Sequence, residues 1–533
     1  MFSIAQLLGA LREDSAVTSV AFTALALFLV ATQLRPKRDP SSSTSKLSSY
    51  DSLPRPASTL PILGNTLDAI YTQKDRLYDW MAEQHELHKS PWLLSVVGYP
   101  PTIVVSTPEL FEDVLKTHFE SFPKADSQCD IFRDVFGYGI IAVNGEDWHA
   151  QRKATSQLFT PQKIKDAMYP IMQLKVQTLC AMLTQYEARG EPISLKRVLN
   201  HFTTDVFAKT GFGVELNCLE NGVKSDRENE FAYATRVASQ VMQQRFQEPL
   251  WLWRLKRSLN IGQEKVLRKN IDHIDSLVYS ILDTAIEQRA SSSSTESTRK
   301  DLISTFLEER GADADLKAIR DSVVNFFIGG TETSAQSMAF LVVMMNRYPR
   351  VLAKIREEIQ TKFPGLARGD SDLPSMEELG QLVYLEAAIR ENLRLNPTGP
   401  VTMRASIDDV VLSDGTFVAK GTRIILAFYA SMRSKSVWGE DVLEFKPERW
   451  IDPATGFLIA ESPFKFPVFL AGPRICLGMR FALTEMKLNM ALLLSRFDVT
   501  TVENPWEMTY EVAIACGVRG PLMVNVAKIA PSS

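Results

Sequence analysis

Cysteine is scarce: five thiols in 533 residues, Cys129, Cys180, Cys218, Cys476 and Cys516. They are odd in number and widely scattered, so neither a disulfide framework nor a Cys-x-x-Cys zinc site is written, and a reducing compartment is expected. Basic excess is missing too. Fifty-nine Lys and Arg face 63 Asp and Glu, a net charge of −4, which leaves nothing to neutralise a phosphate backbone and argues against nucleic acid. No repeat of roughly 20–50 residues is evident. What the chain does have, with 45% apolar, 23% charged and 9% aromatic residues, is material for a large globular core.

One long apolar run stands at the N-terminus. From Ala16 to Leu34 no residue is charged, long enough as a helix to cross roughly 30 Å of hydrocarbon. Arg12-Glu13-Asp14 before it is net acidic, and Arg35, Lys37 and Arg38 follow it. These flanks are the reverse of a cleaved signal peptide and set the remainder of the chain in the cytoplasm. The endoplasmic reticulum membrane is the expected location. Ser/Thr fills seven of nine positions from Ser41 to Ser49, a tether, and Pro54, Pro56 and Pro61 then stiffen the chain. The reading is a short segment at 1–15, a transmembrane anchor at 16–34, a basic and Ser-rich linker at 35–53 and one domain at 54–533. Helical spacing marks Val351–Phe363, Met376–Leu395 and Phe481–Phe497. Short strands are expected at Ile103–Val105, Val410–Leu412 and Arg423–Leu426, and an exposed loop at Ser291–Thr298. The fold class is mainly α with small β-sheets.

Between Asp321 and Arg347 the only charged residue is Glu332, which predicts a helix buried along most of its length. A second transmembrane helix is the less favoured alternative, because many polar residues interrupt the run and a carboxylate at mid-membrane costs several kcal/mol. Gly329-Gly330 sacrifices roughly 1 kcal/mol per residue against Ala, which suggests room for a ligand at the backbone. Glu332 and Thr333 just beyond could bind a small oxygen species and pass protons to it. The loop Phe469-Leu470-Ala471-Gly472-Pro473-Arg474-Ile475-Cys476-Leu477-Gly478 runs into a long helix, so its thiol sits at a helix N-terminus. Free N–H groups there favour thiolate, and Gly478 leaves them uncovered. A lone thiolate suits neither zinc nor an iron–sulfur cluster, but it is a single axial ligand for haem iron.

Phe469, Gly472, Arg474, Cys476 and Gly478 give Phe-x-x-Gly-x-Arg-x-Cys-x-Gly, which resembles the haem-binding loop of the haem-thiolate monooxygenases, the cytochrome P450 superfamily. Gly329-Gly330-Thr331-Glu332-Thr333, Glu391-Asn392-Leu393-Arg394 and Phe445-Lys446-Pro447-Glu448-Arg449-Trp450 resemble three further motifs of that superfamily, in its order. The resemblance implies a single haem-thiolate monooxygenase domain with haem b held by Cys476. Trp148, Arg152, Arg404 and Arg474 match positions that hold the haem propionates. Thr333 and Glu332 match the pair that steadies activated oxygen and links it to solvent protons. Glu391 and Arg394 would pair with Arg449 to fix the loop beneath the haem. No flavin or nicotinamide domain fits in this length, so an NADPH-dependent flavoprotein reductase, with cytochrome b5 as a further donor, is the implied electron source. Lys153, Arg480 and Lys487 form the candidate docking patch.

Phe122-Pro123-Lys124, Gly145-x-x-Trp148-x-x-Gln151-Arg152-Lys153, Asp414–Val418 and Arg433–Asp441 narrow the resemblance to the fatty-acid ω-hydroxylases of plants and fungi. That group carries Arg-Asp where this chain has Thr331-Glu332. Gly329 replaces the Glu through which some animal ω-hydroxylases bind haem covalently, so no such link is expected. The resemblance implies a lipophilic substrate, O2 as co-substrate, and hydroxylation of a fatty acid or alkane at or near its terminal methyl. The alternatives are a monooxygenase of sterols or terpenoids, a hydroperoxide isomerase and a non-catalytic haem protein. Gly137–Ala142 fits a dinucleotide fingerprint on paper but lacks a surrounding βαβ unit, and His85 with His88 lacks a third metal ligand.

Overall fold

The computed structural model describes residues 52–225, 230–291, 315–367, 369 and 373–529. The expected anchor at 16–34, nearly all of the linker and the Ser292–Thr298 part of the expected loop lie outside the described residues. Among the described residues no helix is long and apolar enough to cross a membrane. The architecture is mainly helical, as expected. The helices that position the site are α1 (Leu77–His88), α2 (Asp126–Phe136), α3 (Gly145–Ser156), α4 (Leu195–Phe212), α5 (Glu230–Gln247), α6 (Leu316–Arg347), α7 (Pro349–Lys362), α8 (Val383–Leu395) and α9 (Met479–Arg496).

Helix α6 runs through the interior. Asp315 caps its first turn by accepting from the Lys317 N–H at 3.0 Å. Val323, Val324, Phe327, Met338, Ala339 and Leu341 are buried on it, each large side chain removed from water contributing about 1.5–3 kcal/mol. The apparent dinucleotide fingerprint serves this helix. Tyr138 N–H donates to Asp321 and Ile141 N–H to Asn325, at 2.8 and 2.9 Å. A Cβ on Gly137 or Gly139 would fall 2.0 Å from those side chains, so the glycines permit close packing.

Four short strands, β1 (Trp92–Leu94), β2 (Thr102–Val105), β3 (Thr402–Ala405) and β4 (Arg423–Leu426), form one sheet in the order β1-β2-β4-β3. The β2–β4 pair is parallel, and β1–β2 and β3–β4 are antiparallel. Ile103, Val105, Ile424 and Leu426 pack one face against Phe111 and Phe428. Leu94, Val104 and Ile425 pack the other against Trp80 and Met81 of α1. The remaining described sheets have two or three strands, and the expected strand at Val410–Leu412 is a two-residue pair with Phe417–Val418.

The continuous helix expected over Met376–Leu395 is instead two. Ser375 and Glu378 form a capping box on a single turn that ends at Leu379, where Gly380 follows. Helix α8 then restarts with the N–H groups of Tyr384 and Leu385 donating to Glu358 of α7 at 2.7 and 2.9 Å. A carboxylate from a neighbouring helix thus satisfies the new N-terminus. On α8, Glu391 and Arg394 are wholly buried and bidentate at 2.8 and 2.9 Å. Arg449 Nε and Trp450 Nε1 also donate to Glu391, at 3.2 and 2.9 Å, and Arg394 reaches the Met432 carbonyl at 2.7 Å. This is a desolvated charge cluster, not an exposed helix pair.

Candidate functional site

A cavity of about 480 Å³ lies between α6, α3, β3 and the loop before α9. Cys476, Trp148, Arg152, Arg404, Arg474, Phe469, Gly478 and Thr333 all line it, so the fold brings nearly every expected site residue to one place. Glu332 does not line it, and Gly472, within the loop, packs against Leu115 instead.

The loop is shaped by backbone. A 3-10 turn at Pro467–Phe469 ends with Leu470 at φ 62°, and a second at Gly472–Arg474 follows. Gly472 has φ +68°, and a Cβ there would sit 2.0 Å from the Leu115 carbonyl oxygen, so only glycine lets the loop pack this closely. The Cys476 N–H donates back to the Phe469 carbonyl at 2.8 Å. Cys476 therefore presents its accessible surface to the cavity. The expected donors are in place, since the N–H groups of Gly478 and Met479 and the Arg152 cation all favour the thiolate. Burial outweighs them and holds the thiol above its ordinary pKa. A metal cation in the cavity would favour the thiolate further.

At another edge of the cavity stand cations without anions. Arg404 is 1% exposed. Its Nη1 donates to Thr402 Oγ1 and the Met403 carbonyl at 3.0 and 2.7 Å, while Nε and Nη2 have no partner among the described residues. Burial, with repulsion from Arg474, lowers its pKa to about 9. Arg474 stacks over the Trp148 ring at 4.3 Å and donates to Val143 O and Asn144 Oδ1 at 3.2 and 3.0 Å. Burial brings it to about 10. Lys124, which the sequence did not single out as a site residue, donates to the Ile141 carbonyl and is pushed well down by burial and by both arginines. No carboxylate forms an ion pair with these three among the described residues. Buried donors of this kind need an anion. A ligand carrying carboxylates at one edge and a metal that takes one soft sulfur fits this cavity, and haem is such a ligand.

The two glycines of α6 differ. A Cβ on Gly329 would meet nothing within 4 Å, so this residue opens the cavity as expected. A Cβ on Gly330 would fall 2.3 Å from the Phe207 ring of α4, so its vacancy is filled by protein rather than ligand. Thr333 faces the cavity with its hydroxyl donating to the Gly329 carbonyl at 2.9 Å. Glu332 turns the other way, into a small void shared with Lys196, Arg236, Gln336 and Glu511. Burial raises its carboxyl to about 7, against the pull of Lys196 and Arg236. Four residues of that void, Lys196, Arg236, Gln240 and Glu511, also line a wide surface cleft of about 1010 Å³.

Sequence reasoning missed Glu485 on α9. It is 0% exposed, and burial raises its carboxyl to about 8 while the nearby Ser334 opposes the shift. Neither of its oxygens nor the Ser334 hydroxyl has a hydrogen-bond partner of normal geometry among the described residues. Nothing in its helical spacing distinguishes it from a solvated glutamate. The expected docking patch is reduced to Lys153 and Arg480, both exposed, because Lys487 is buried in an ion pair with Glu386. His85 holds Ser106 and Ser434 at 2.7 and 2.9 Å, a packing role.

The sequence pattern of the family described as "Cytochrome P450" matches residues 54–517. Among curated proteins, the chain is 32% identical to "Cytochrome P450 CYP94D108" of Paris polyphylla over 470 residues, 87% of this chain and 92% of that protein. It is 32% identical to "Cytochrome P450 94B1" of Arabidopsis thaliana over 86% of this chain and 89% of that protein. It is 33% identical to "Cytochrome P450 94C1" of the same plant over 84% and 89%.

Proposed function

The chain belongs to the cytochrome P450 family and is a haem monooxygenase; from that premise we propose that it hydroxylates a long-chain fatty acid at or near the terminal methyl. Haem b with an axial cysteine thiolate supplies the family's chemistry, inserting one atom of O2 into a C–H bond once electrons are delivered. Cys476 is the ligand in this reading, since it is the one thiol that faces the cavity. Arg404, Arg474, Trp148 and Arg152 hold the haem carboxylates, joined by Lys124.

Thr333 then acts at the oxygen-binding side. Its hydroxyl proton is committed to the Gly329 carbonyl, which leaves the Oγ1 lone pairs to accept a hydrogen bond. Glu332, tuned to about 7 by burial, exchanges its proton at neutral pH. In this reading it takes up protons from the side of the surface cleft, whose lining residues Lys196, Arg236, Gln240 and Glu511 also line its void, and serves Thr333 as its neighbour on α6.

What supports a chain-like substrate is the shape of the apolar space. The cavity at Cys476 adjoins a second, mainly apolar one of about 160 Å³, with Phe132, Val401 and Ile514 lining both, and a chain extending from one to the other would use both. The test is incubation of the membrane-bound enzyme with NADPH-dependent flavoprotein reductase, NADPH and a panel of fatty acids, alkanes, sterols and terpenes. Terminal or near-terminal alcohols from the chains are expected, and oxidation of sterols or terpenes alone would refute the reading. In the same assay Thr333→Ala should consume NADPH with little product and release hydrogen peroxide. Unchanged coupling would remove Thr333 from this role. In this reading electrons come from that reductase or cytochrome b5, docking at Lys153 and Arg480. The 16–34 segment anchors the protein in the endoplasmic reticulum membrane with the domain in the cytoplasm, and release by alkaline carbonate would contradict the anchor.

A further inference from the structure

The second cavity lies over the face of the four-stranded sheet that carries Leu94, Thr102 and Ile425. One cation lines it, Arg423 of β4. Arg423 stands opposite Thr102 of β2 and Ala405 of β3. Arg404, opposite Ile424, therefore points to the other face, and the two arginines serve different spaces.

Arg423 is 7% exposed. Its guanidinium lies 4.3 Å over the Tyr99 ring, its Nη2 reaches Met403 Sδ at 3.0 Å, and its Nε has no partner among the described residues. No carboxylate of the described residues pairs with it. The Tyr99 hydroxyl lies 3.0 Å from the carbonyls of both Arg245 and Glu248, so it offers the arginine a π face only. Burial lowers the pKa of the guanidinium, as desolvation without an anion must. A cation–π contact recovers part of that penalty, whereas a carboxylate would recover more through paired N–H bonds.

Resting on the fatty-acid reading above, we propose that Arg423 anchors the substrate carboxylate, so that the chain runs past Phe132 and Ile514 and delivers its methyl end to the Thr333–Cys476 cavity. The polarity of the passage agrees. Gln243 and Gln247 line both this cavity and the solvent cleft, placing the polar end of the passage on the Arg423 side. Gln128, Phe132, Val401, Thr402 and Ile514 line both apolar cavities, so the two spaces adjoin on the side away from Gln243 and Gln247. An acid fixed at Arg423 presents its far end for oxidation, which selects position by chain length.

The test compares dodecanoic acid with methyl dodecanoate on the haem-loaded full chain with reductase, as wild type, Arg423→Met and Arg423→Lys. Equilibrium dialysis of labelled dodecanoate gives an independent readout. The expected result is a KM and Kd for the acid raised about 10–100-fold in Arg423→Met. The same variant should show little change for the ester, and Arg423→Lys should recover part of the loss. A merely structural arginine would raise both KM values together and lower the unfolding midpoint, which would overturn the proposal. Acid turnover and binding unaffected by Arg423→Met would also overturn it while leaving the fatty-acid reading intact. If the wild type oxidises neither probe nor any other acid of the panel, that reading falls and the anchor falls with it.

Discussion

Two adjacent glycines on α6 should respond to the same substitution with opposite signs. In Gly329→Ala the new methyl group enters the cavity, where no atom lies within 4 Å. The helix gains about 1 kcal/mol from replacing glycine with alanine, and nothing opposes it. In Gly330→Ala the methyl group meets Phe207 at 2.3 Å. That ring cannot easily swing aside, because Phe212, Phe327 and Phe481 pack around it with centroids 5.7 to 6.0 Å away. Overpacking of this kind costs about 1–3 kcal/mol, which cancels or exceeds the propensity gain. The variants should differ by about 2 kcal/mol, with Gly329→Ala the more stable. Urea unfolding with matched m-values measures the difference directly. Gly330→Ala combined with Phe207→Leu should recover stability beyond the sum of the single effects. Gly329→Ala, whose methyl group enters the cavity itself, should raise the KM for a bulky substrate. If Gly330→Ala is as stable as Gly329→Ala, or if Phe207→Leu fails to relieve it, the packing argument for the glycine pair is wrong.

Glu485 predicts a pH dependence of stability. Its folded pKa of about 8 lies above the ordinary carboxylate value, so the folded state holds an extra proton. Its contribution is complete below the unfolded pKa and is lost as pH rises through about 8, an effect on the order of a few kcal/mol. Glu332 acts in the same direction up to about 7. The urea midpoint should therefore fall between pH 5 and 8, and Glu485→Gln should flatten that fall; equal slopes would place Glu485 in water. Glu391→Gln leaves Arg394 and Arg449 buried around a neutral amide and should destabilise by about 3–5 kcal/mol. A loss below 1 kcal/mol, measured the same way, would show the cluster to be solvated.

Much of the fold and site was legible because short covalent spacing fixes which groups share a face. Trp148 and Arg152 stand four apart on α3 and line the same cavity, and Glu391 and Arg394 stand three apart on α8 and pair directly. The loop before α9 could be read as a thiol presented at a helix start from its glycines alone. The strands at 103–105 and 423–426 and the buried course of α6 followed from apolar runs of distinct length. The helix expected over 376–395 stops at Leu379 and restarts at Val383, where a carboxylate on α7 that no local pattern announces caps the new N-terminus.

Sequence by itself thus determined the family, the sulfur and the cations that surround one cavity, since these depend on residue type and near-neighbour geometry. Tertiary structure alone decided that Glu332 faces away from that cavity, that Phe207 occupies the gap at Gly330 and that Glu386 takes Lys487 out of the surface. It also decided that Arg423 lies in an apolar passage with no anion among the described residues. Each of these rests on an element brought from far along the chain, and which element arrives is set by the packing of the whole core, which no short window of sequence contains.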